Sequence, residues 1–223
     1  MTRLRAWLRY VLKARETWRV LAHDFGWRRS FEERRSVDAH GEPIPWYSYP
    51  AIEFLRTLDL NGKRVFEFGS GNSSVFWARK ADSVLAVEND GAWAAIVQSF
   101  AVPNLRVIEE TDRDRYVSTP EREGGGFDVV VVDGRYRRRC AAAAARVVKA
   151  GGFIVFDNAD WYPDACSDLR AQGWVQIDFS GFGPVNSYCW TTAVFLRAEL
   201  RIPRAGASHP IGGIPALGEG ESA

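Results

Sequence analysis

The chain has 223 residues, 46% hydrophobic and 26% charged, which is enough for one α/β domain with a sizeable core. A net charge of +1 argues against a nucleic-acid partner, because such proteins are usually basic. No apolar run has transmembrane length, and charges interrupt the N-terminal region where a signal peptide would be apolar. We therefore expect a cytoplasmic protein, with its three cysteines reduced.

The first predicted element is a helix over residues 3–22. Apolar residues recur in it at three- and four-residue steps: Leu4, Trp7, Leu8, Val11, Trp18 and Leu21. Basic residues crowd the same segment: Arg3, Arg5, Arg9, Lys13, Arg15 and Arg19. Two interpretations remain open, a cap packed on the domain or a peripheral anchor lying on an anionic membrane surface.

An irregular lead-in follows, over residues 23–50. Its prolines exclude a regular helix near its end: Pro43, Pro45 and Pro50. The aromatic residues Trp46, Tyr47 and Tyr49 either cover a pocket or pack as a clasp. Residues 1–50 are therefore assigned to the amphipathic helix and lead-in.

Strands and helices alternate over residues 51–197, after a first helix that ends near Asn61. Strands are predicted at 64–68, 84–88, 105–108, 127–132 and 152–156, and helices at 73–80, 90–100, 137–149 and 163–172. A polar stretch separates the strand at 105–108 from the strand at 127–132. This alternation predicts a parallel sheet with helices on both faces. Two final strands, 174–179 and 189–196, are joined by a loop too short for a helical crossover and should pair antiparallel. Residues 198–223 are predicted to form a flexible tail.

A glycine turn follows the strand at 64–68, in the sequence "RVFEFGSGNSS". Gly69 and Gly71 allow a ligand to approach the backbone, and Glu88 stands 19 residues after Gly69, where its carboxylate can bind a ribose. Both dinucleotides and S-adenosylmethionine fit such a turn. Glu67 would repel a pyrophosphate but attract a sulfonium and an ammonium, and Ser74 replaces the last glycine of the dinucleotide motif. The turn therefore favours S-adenosylmethionine.

Four segments in order resemble the motifs of class I S-adenosylmethionine-dependent methyltransferases: "EFGSGNS", "VLAVEND", "FDVVVVDG" and "VVKAGGFIVFDN". The resemblance implies a Rossmann-like, seven-stranded, mostly parallel sheet whose last strand is antiparallel. It places the methionine part of the cofactor near the glycine turn, the ribose on Glu88, and the adenine near Asn89 or Asp90. The cofactor residues it implies are Glu67, Gly69, Ser70, Gly71, Asn72, Ser73, Glu88, Asn89 and Asp133.

Oxygen-bearing side chains end two of the predicted strands: Asp133, and the pair Asp157 and Asn158. In a parallel sheet these ends share one edge, and such oxygens are ligands that Mg²⁺ prefers. The arrangement is similar to that of metal-dependent O-methyltransferases, although Gly134 and Arg135 depart from it. Three roles stay open for the acids Asp133 and Asp157: metal ligands, metal-free catalytic and positioning groups, or structural groups.

A basic run follows Asp133: Arg135, Arg137, Arg138 and Arg139. It is either a solvated helix start or a clamp for an anionic acceptor. The predicted function is methyl transfer from S-adenosylmethionine, with O-methylation of a small molecule or sugar-type acceptor as the specific expectation. The alternatives are a nicotinamide-dependent oxidoreductase and a non-catalytic binding module. The sequence leaves the oligomeric state open.

Overall fold

The computed structural model describes residues 2–205 and 210–213. Its centre is a seven-stranded sheet with the order β3-β2-β1-β4-β5-β7-β6. The strands are β1 Arg64–Phe68, β2 Ser83–Glu88, β3 Leu105–Glu109, β4 Phe127–Val132, β5 Val148–Phe156, β6 Val175–Gly181 and β7 Trp190–Leu196. The helices are α1 Thr2–Arg19, α2 Trp27–Glu33, α3 Tyr49–Arg56, α4 Asn72–Ala78, α5 Gly91–Gln98, α6 Arg113–Arg122, α7 Arg137–Val147 and α8 Pro163–Ala171.

The register of the central strands sets the position of the functional residues. Phe68 of β1 pairs with Val132 of β4, and Val132 pairs with Phe156 of β5, all in parallel. The next residue of each strand therefore emerges at the same edge. Side chains of β4 are buried along its whole length, because helices cover both faces of the sheet.

The last two strands run as the short connection predicts. β7 lies between β5 and β6 and is antiparallel to both. Its pairing of Ala193 with Phe156 brings the start of β7 beside the end of β5. The predicted seven-stranded, mostly parallel sheet with an antiparallel last strand is confirmed.

The structure contains a helix that the sequence pattern did not predict, α6 at Arg113–Arg122. Its sequence is polar and carries Pro120 inside the helix, which usually argues against one. The Asp112 carboxylate accepts hydrogen bonds from two amides of the first turn, and Tyr116 is fully buried beneath the sheet edge. Capping and burial thus outweigh the weak local preference.

The predicted helix over residues 3–22 ends earlier, because the π-helical turn Val20–Asp24 follows α1. From Arg3 to Arg19 every side chain except that of Val11 is exposed. Apart from the contact of Trp18 with Trp27, this helix therefore leaves most of its surface exposed in the described structure. Within the described residues, no helix is both long and apolar enough to cross a bilayer.

The lead-in packs into the domain rather than beside it. Tyr47 is fully buried, and the Ser48 amide donates to Thr192 Oγ1 at 3.0 Å. The segment after β7 is also attached, because Pro203 and Ala205 form backbone hydrogen bonds with Asp59 and Thr57. The predicted tail of residues 198–223 therefore begins with packed residues, and positions 206–209 and 214–223 lie outside the described residues.

Candidate functional site

A cavity of ≈ 370 Å³ opens where β1, β4 and β5 end. Residues from the glycine turn, from the ends of β4 and β5, from the lead-in and from the loop before β7 line it. They are Arg34, Arg35, Ser36, Trp46, Ser70, Gly71, Asn72, Ser73, Trp93, Asp133, Arg137, Asp157, Asn158, Trp161, Asn186, Tyr188 and Trp190. Its size and its mixture of aromatic and charged walls are typical of small-molecule sites.

Two glycines allow the turn after β1 to approach the end of β4 closely. Gly69 has a φ of +95°, and a Cβ on it would lie 3.1 Å from the Asp133 carbonyl oxygen. A Cβ on Gly134 would lie 2.7 Å from the Gly69 nitrogen and would collide with the Tyr116 hydroxyl. Larger residues would separate the two loops, so these glycines bring Asp133 against the turn.

Glu88 holds the same turn from the end of β2. Its Oε2 accepts hydrogen bonds from the Ser70 amide and the Ser70 hydroxyl, both at 3.0 Å. Its Oε1 accepts from the Asn89 amide at 2.8 Å and the Asp90 amide at 3.1 Å. The carboxylate is thus fixed at the tip of the turn, where a ribose hydroxyl can replace the Ser70 hydroxyl.

Glu67 lies beneath the turn rather than in the cavity. It is 1% exposed and accepts a hydrogen bond from the Ser74 hydroxyl, which in turn accepts one from the Gly71 amide at 3.1 Å. Burial raises the pKa of Glu67 to about 8, and the Ser73 and Ser74 hydroxyls oppose that rise. Glu67, one of the predicted cofactor residues, therefore supports the turn from below and does not line the cavity.

Arg137 occupies the centre of the site at the ends of β4 and β5. Its guanidinium donates to Asp133 Oδ1 at 2.8 Å and to Asn158 Oδ1 at 2.7 Å, and it lies 3.8 Å from Asp157 Oδ2. It also donates to the backbone carbonyls of Gly134 and Asp157, at 3.0 and 2.6 Å. Every nitrogen of the guanidinium is therefore engaged with the protein.

No protein-family model and no curated protein matches the chain. Among solved structures, the precorrin-6y C5,15-methyltransferase of Geobacter metallireducens matches with a TM-score of 0.54 at 14% identity. The match covers 67% of this chain and 87% of that one. The chain has the fold of class I S-adenosylmethionine-dependent methyltransferases. The resemblance seen in the sequence motifs is thus confirmed at the level of the fold.

Spermidine synthase of Thermotoga maritima also shares this methyltransferase fold, with a TM-score of 0.51 at 16% identity. The match covers 69% of this chain and 57% of that one. One of these two structures is named as a methyltransferase and the other as a spermidine synthase. The fold alone therefore does not fix the reaction, and the side chains of the site must carry that argument.

The site does not fit the Mg²⁺ ion predicted at Asp133, Asp157 and Asn158. The methyltransferase fold brings the three side chains together, but the Arg137 guanidinium stands among their oxygens. A second cation there would face the positive charge of Arg137 at contact distance. Among the described residues, no group of three acidic, histidine or cysteine side chains is arranged to hold a metal.

The two acids differ in their surroundings, although burial raises the pKa of both carboxyls and Arg137 opposes the rise. Asp157 is buried, and its Oδ1 accepts from Trp190 Nε1 at 3.0 Å and from Thr192 Oγ1 at 2.6 Å. Both acids line the cavity, but the Asp133 side chain is 20% exposed against 4% for that of Asp157, and Asp133 is bonded through one oxygen to Arg137. Asp133 is therefore the acid that can meet a ligand.

The other predicted cofactor residues divide into two groups. Ser70, Gly71, Asn72 and Ser73 line the cavity. Asn89 does not; its side-chain amide donates to the carbonyls of Glu110 and Thr111, at 3.3 and 3.2 Å, which joins the ends of β2 and β3.

Trp93 lines the cavity beside the glycine turn, but it is not among the residues that the sequence motifs imply. Its indole nitrogen donates to the Ser70 carbonyl at 2.8 Å, beside Gly71. The signal available in the sequence was its position in the first turn of α5, five residues after Glu88.

The far end of the cavity is aromatic and basic. Trp46, Trp161 and Tyr188 are about half-exposed there, and Trp190 forms part of the floor. Of the four arginines in the run after Asp133, only Arg137 lines the cavity. Arg138 and Arg139 pair at the surface with Asp168 and Asp114, so the proposed clamp is not built from them. Arg34 and Arg35 of the lead-in supply the other cations of this wall.

Replacing Glu67 with Gln should flatten the pH dependence of stability. The folded-state pKa of Glu67, about 8, exceeds the ordinary value of 4.5. The stabilising contribution of this carboxyl to the free energy of unfolding is therefore fully present below about pH 4.5 and is lost as the pH rises through 8. We expect Glu67→Gln to be more stable than wild type at pH 8.5, on the order of a few kcal/mol, with near-equal stability at pH 5. Urea unfolding across this pH range measures the difference, and Glu32→Gln, at an exposed position, is the control. If the free energy of unfolding changes with pH equally in wild type and both variants, the prediction is contradicted.

Proposed function

We propose that the protein transfers a methyl group from S-adenosylmethionine to an oxygen of a small acceptor, without a metal ion. One observation carries this proposal. The glycine turn lies between two carboxylates, those of Glu88 and Asp133, and opens directly onto an aromatic cavity. In this proposal a cationic cofactor binds at the end of the cavity beside the two carboxylates, and the acceptor binds at the aromatic end.

The chemistry of the turn favours a sulfonium cofactor over a dinucleotide. A pyrophosphate is bound by free backbone amides of the glycine turn and of the helix start that follows it. Here two amides of the turn are already engaged, that of Ser70 with Glu88 and that of Gly71 with the Ser74 hydroxyl. Glu67 is largely protonated at neutral pH, so the negative charge at the turn is that of Glu88 and Asp133. This charge repels a pyrophosphate and attracts an ammonium group. Glu88 would hold the ribose, and the turn with Asp133 the methionine part.

When bound, S-adenosylmethionine supplies an electrophilic methyl group, and the protein must align an acceptor oxygen with it and take its proton. Asp133 is the base in this proposal, because it lines the cavity and burial raises the pKa of its carboxyl, which strengthens it as a base. Arg137 fixes its orientation by the bond at 2.8 Å. Asp157, held by Trp190 and Thr192, positions Arg137 rather than meeting the acceptor.

The acceptor proposed for this wall is a small aromatic or sugar-type molecule that carries a negative charge. Trp46, Trp161 and Tyr188 offer flat apolar faces on which a ring can stack. Arg34 and Arg35 stand at the same wall and can pair with a carboxylate or phosphate. Alignment against rigid aromatic walls and exclusion of water are the main contributions a protein makes to methyl transfer.

Ligand-dependent melting of the full chain tests the cofactor. S-adenosylhomocysteine at about 100 times its Kd should add about 2.7 kcal/mol to the free energy of unfolding, and NADH should add nothing. A shift with NADH alone would support the nicotinamide-dependent oxidoreductase instead. A shift with neither would support a non-catalytic module.

Transfer of labelled methyl from S-adenosylmethionine tests the reaction. Hydroxylated aromatic acids and sugar acids are the acceptors to offer, each with and without EDTA. We expect turnover that EDTA leaves unchanged, since the Arg137 guanidinium fills the place of a metal. Turnover that EDTA abolishes and Mg²⁺ restores would contradict the metal-free site.

A further inference from the structure

The N-terminal helix α1 is an exposed amphipathic surface that the proposed methyl transfer does not use. One face carries Leu4, Trp7, Leu8, Val11 and Trp18, and the basic side of the helix carries Arg5, Arg9, Leu12 and Glu16. Trp7 is 59% exposed and Leu4 66%. An apolar stripe of this kind on a soluble domain usually marks a contact with another body.

The stripe continues onto the body of the domain. Trp18 meets Trp27 of α2 edge to face, with ring centroids 5.5 Å apart, and Trp27 stacks on Phe31 at 5.7 Å. Phe31 is 59% exposed. The Trp27 indole nitrogen donates to the carbonyl of Asn186, which lines the cavity. The apolar surface is thus anchored beside the wall of the proposed active site.

The charge on α1 is strongly one-sided. The helix carries six basic residues and one acid, Glu16. Within the part of the chain that the structure describes, only Lys13 and Arg19 of these cations form ion pairs, with Glu16 and Asp24. By helical spacing Arg3 and Arg19 border the apolar stripe and Arg15 lies within it, and their long side chains can reach toward headgroups while the stripe is buried.

We infer that α1 docks the protein on an anionic lipid bilayer, with its apolar stripe buried at the headgroup boundary. Exposed tryptophans beside unpaired arginines are the side chains that this boundary favours. Pairing of two copies through the same stripe would bring their bordering arginines together, which is unfavourable. The helix is about 27 Å long with charges on both ends, which suits lying along a surface rather than crossing it.

Sedimentation of the full chain with vesicles tests this inference. Vesicles of phosphatidylcholine alone are compared with equal parts phosphatidylcholine and phosphatidylglycerol. We expect binding to the anionic vesicles that weakens with added salt, and little binding to the neutral ones. Arg3→Ala and Arg15→Ala, which lie at and within the stripe, should each weaken binding roughly fivefold. Absence of binding to both kinds of vesicle would overturn the inference.

Two variants of α1 provide a matched pair. Trp7→Ser removes the centre of the apolar stripe and should weaken vesicle binding tenfold or more, as roughly expected for the lost apolar area. Leu12→Ser removes an equally exposed apolar residue from the basic face and should bind like wild type. Both should melt like wild type because α1 is exposed. Equal loss in the two variants, or a lipid-free dimer abolished by Trp7→Ser, would overturn the inference.

Discussion

Glu88→Ala should reduce the affinity for S-adenosylhomocysteine at least 100-fold. The ribose offers two hydroxyls, and each hydrogen bond to a carboxylate contributes about 1.5–3 kcal/mol. Glu88 also holds the glycine turn through the Ser70, Asn89 and Asp90 amides, so its removal loosens the binding surface as well. Isothermal titration calorimetry on the purified variant measures the loss.

The controls separate direct binding from loss of the turn. Asp82→Ala removes an exposed acid just before β2, at the opposite end of the strand, and should bind like wild type. Ser70→Ala removes the hydroxyl that competes for Glu88 Oε2 but keeps the amide, so it should bind as tightly as wild type or more tightly. Wild-type affinity in Glu88→Ala would disprove the ribose role, and a large loss in Ser70→Ala would assign the effect to the turn.

The strands of the sheet were predictable because their apolar runs are bounded by glycine and polar residues. The segment Phe127–Val132 is fully buried, and its pattern alone indicates this. α6 was not predictable in the same way. Its helical state depends on the burial of Tyr116 and on the Asp112 cap, and a polar segment containing Pro120 gives little local sign of either.

The residues at the strand ends allowed the acids of the site to be predicted from the sequence, but not the arginine that lies among them. Asp133, Asp157 and Asn158 do meet, as parallel strands require. Which arginine turns inward depends on the first residue of α7, and that is set by Tyr136 in a left-handed conformation with a φ of 56°. No periodicity in "GRYRRRC" reveals this phase, so a cation already present among the acids could not be foreseen.

A similar limit applies to the N-terminal helix. Its spacing predicts an amphipathic helix, and the structure has one at Thr2–Arg19. Both a packed cap and a surface anchor need the same apolar stripe, so the pattern cannot choose between them. The exposure of that stripe in the folded chain supports the proposed membrane anchor, and the vesicle experiment tests it.

Arg137→Ala should cost about 3–5 kcal/mol of stability at pH 8, because it leaves Asp133 and Asp157 without their cation. The cost should shrink at pH 5. Burial raises the pKa of both carboxyls, and removal of the guanidinium raises them further, so both are largely protonated there. Urea unfolding at the two pH values measures this. Arg138→Ala, next on the same helix but paired at the surface with Asp168, should cost less than about 1 kcal/mol at either pH.

The same variant should create a metal site at the ends of β4 and β5. With the guanidinium gone, the oxygens of Asp133, Asp157 and Asn158 surround an empty position of the kind that Mg²⁺ occupies. Mg²⁺ should therefore raise the melting temperature of Arg137→Ala at pH 8 and leave those of wild type and Arg138→Ala unchanged. Equal responses in all three would mean that Arg137 does not hold the place of a metal. A response confined to Arg137→Ala would show that one arginine determines whether this strand edge binds a divalent ion or works without one.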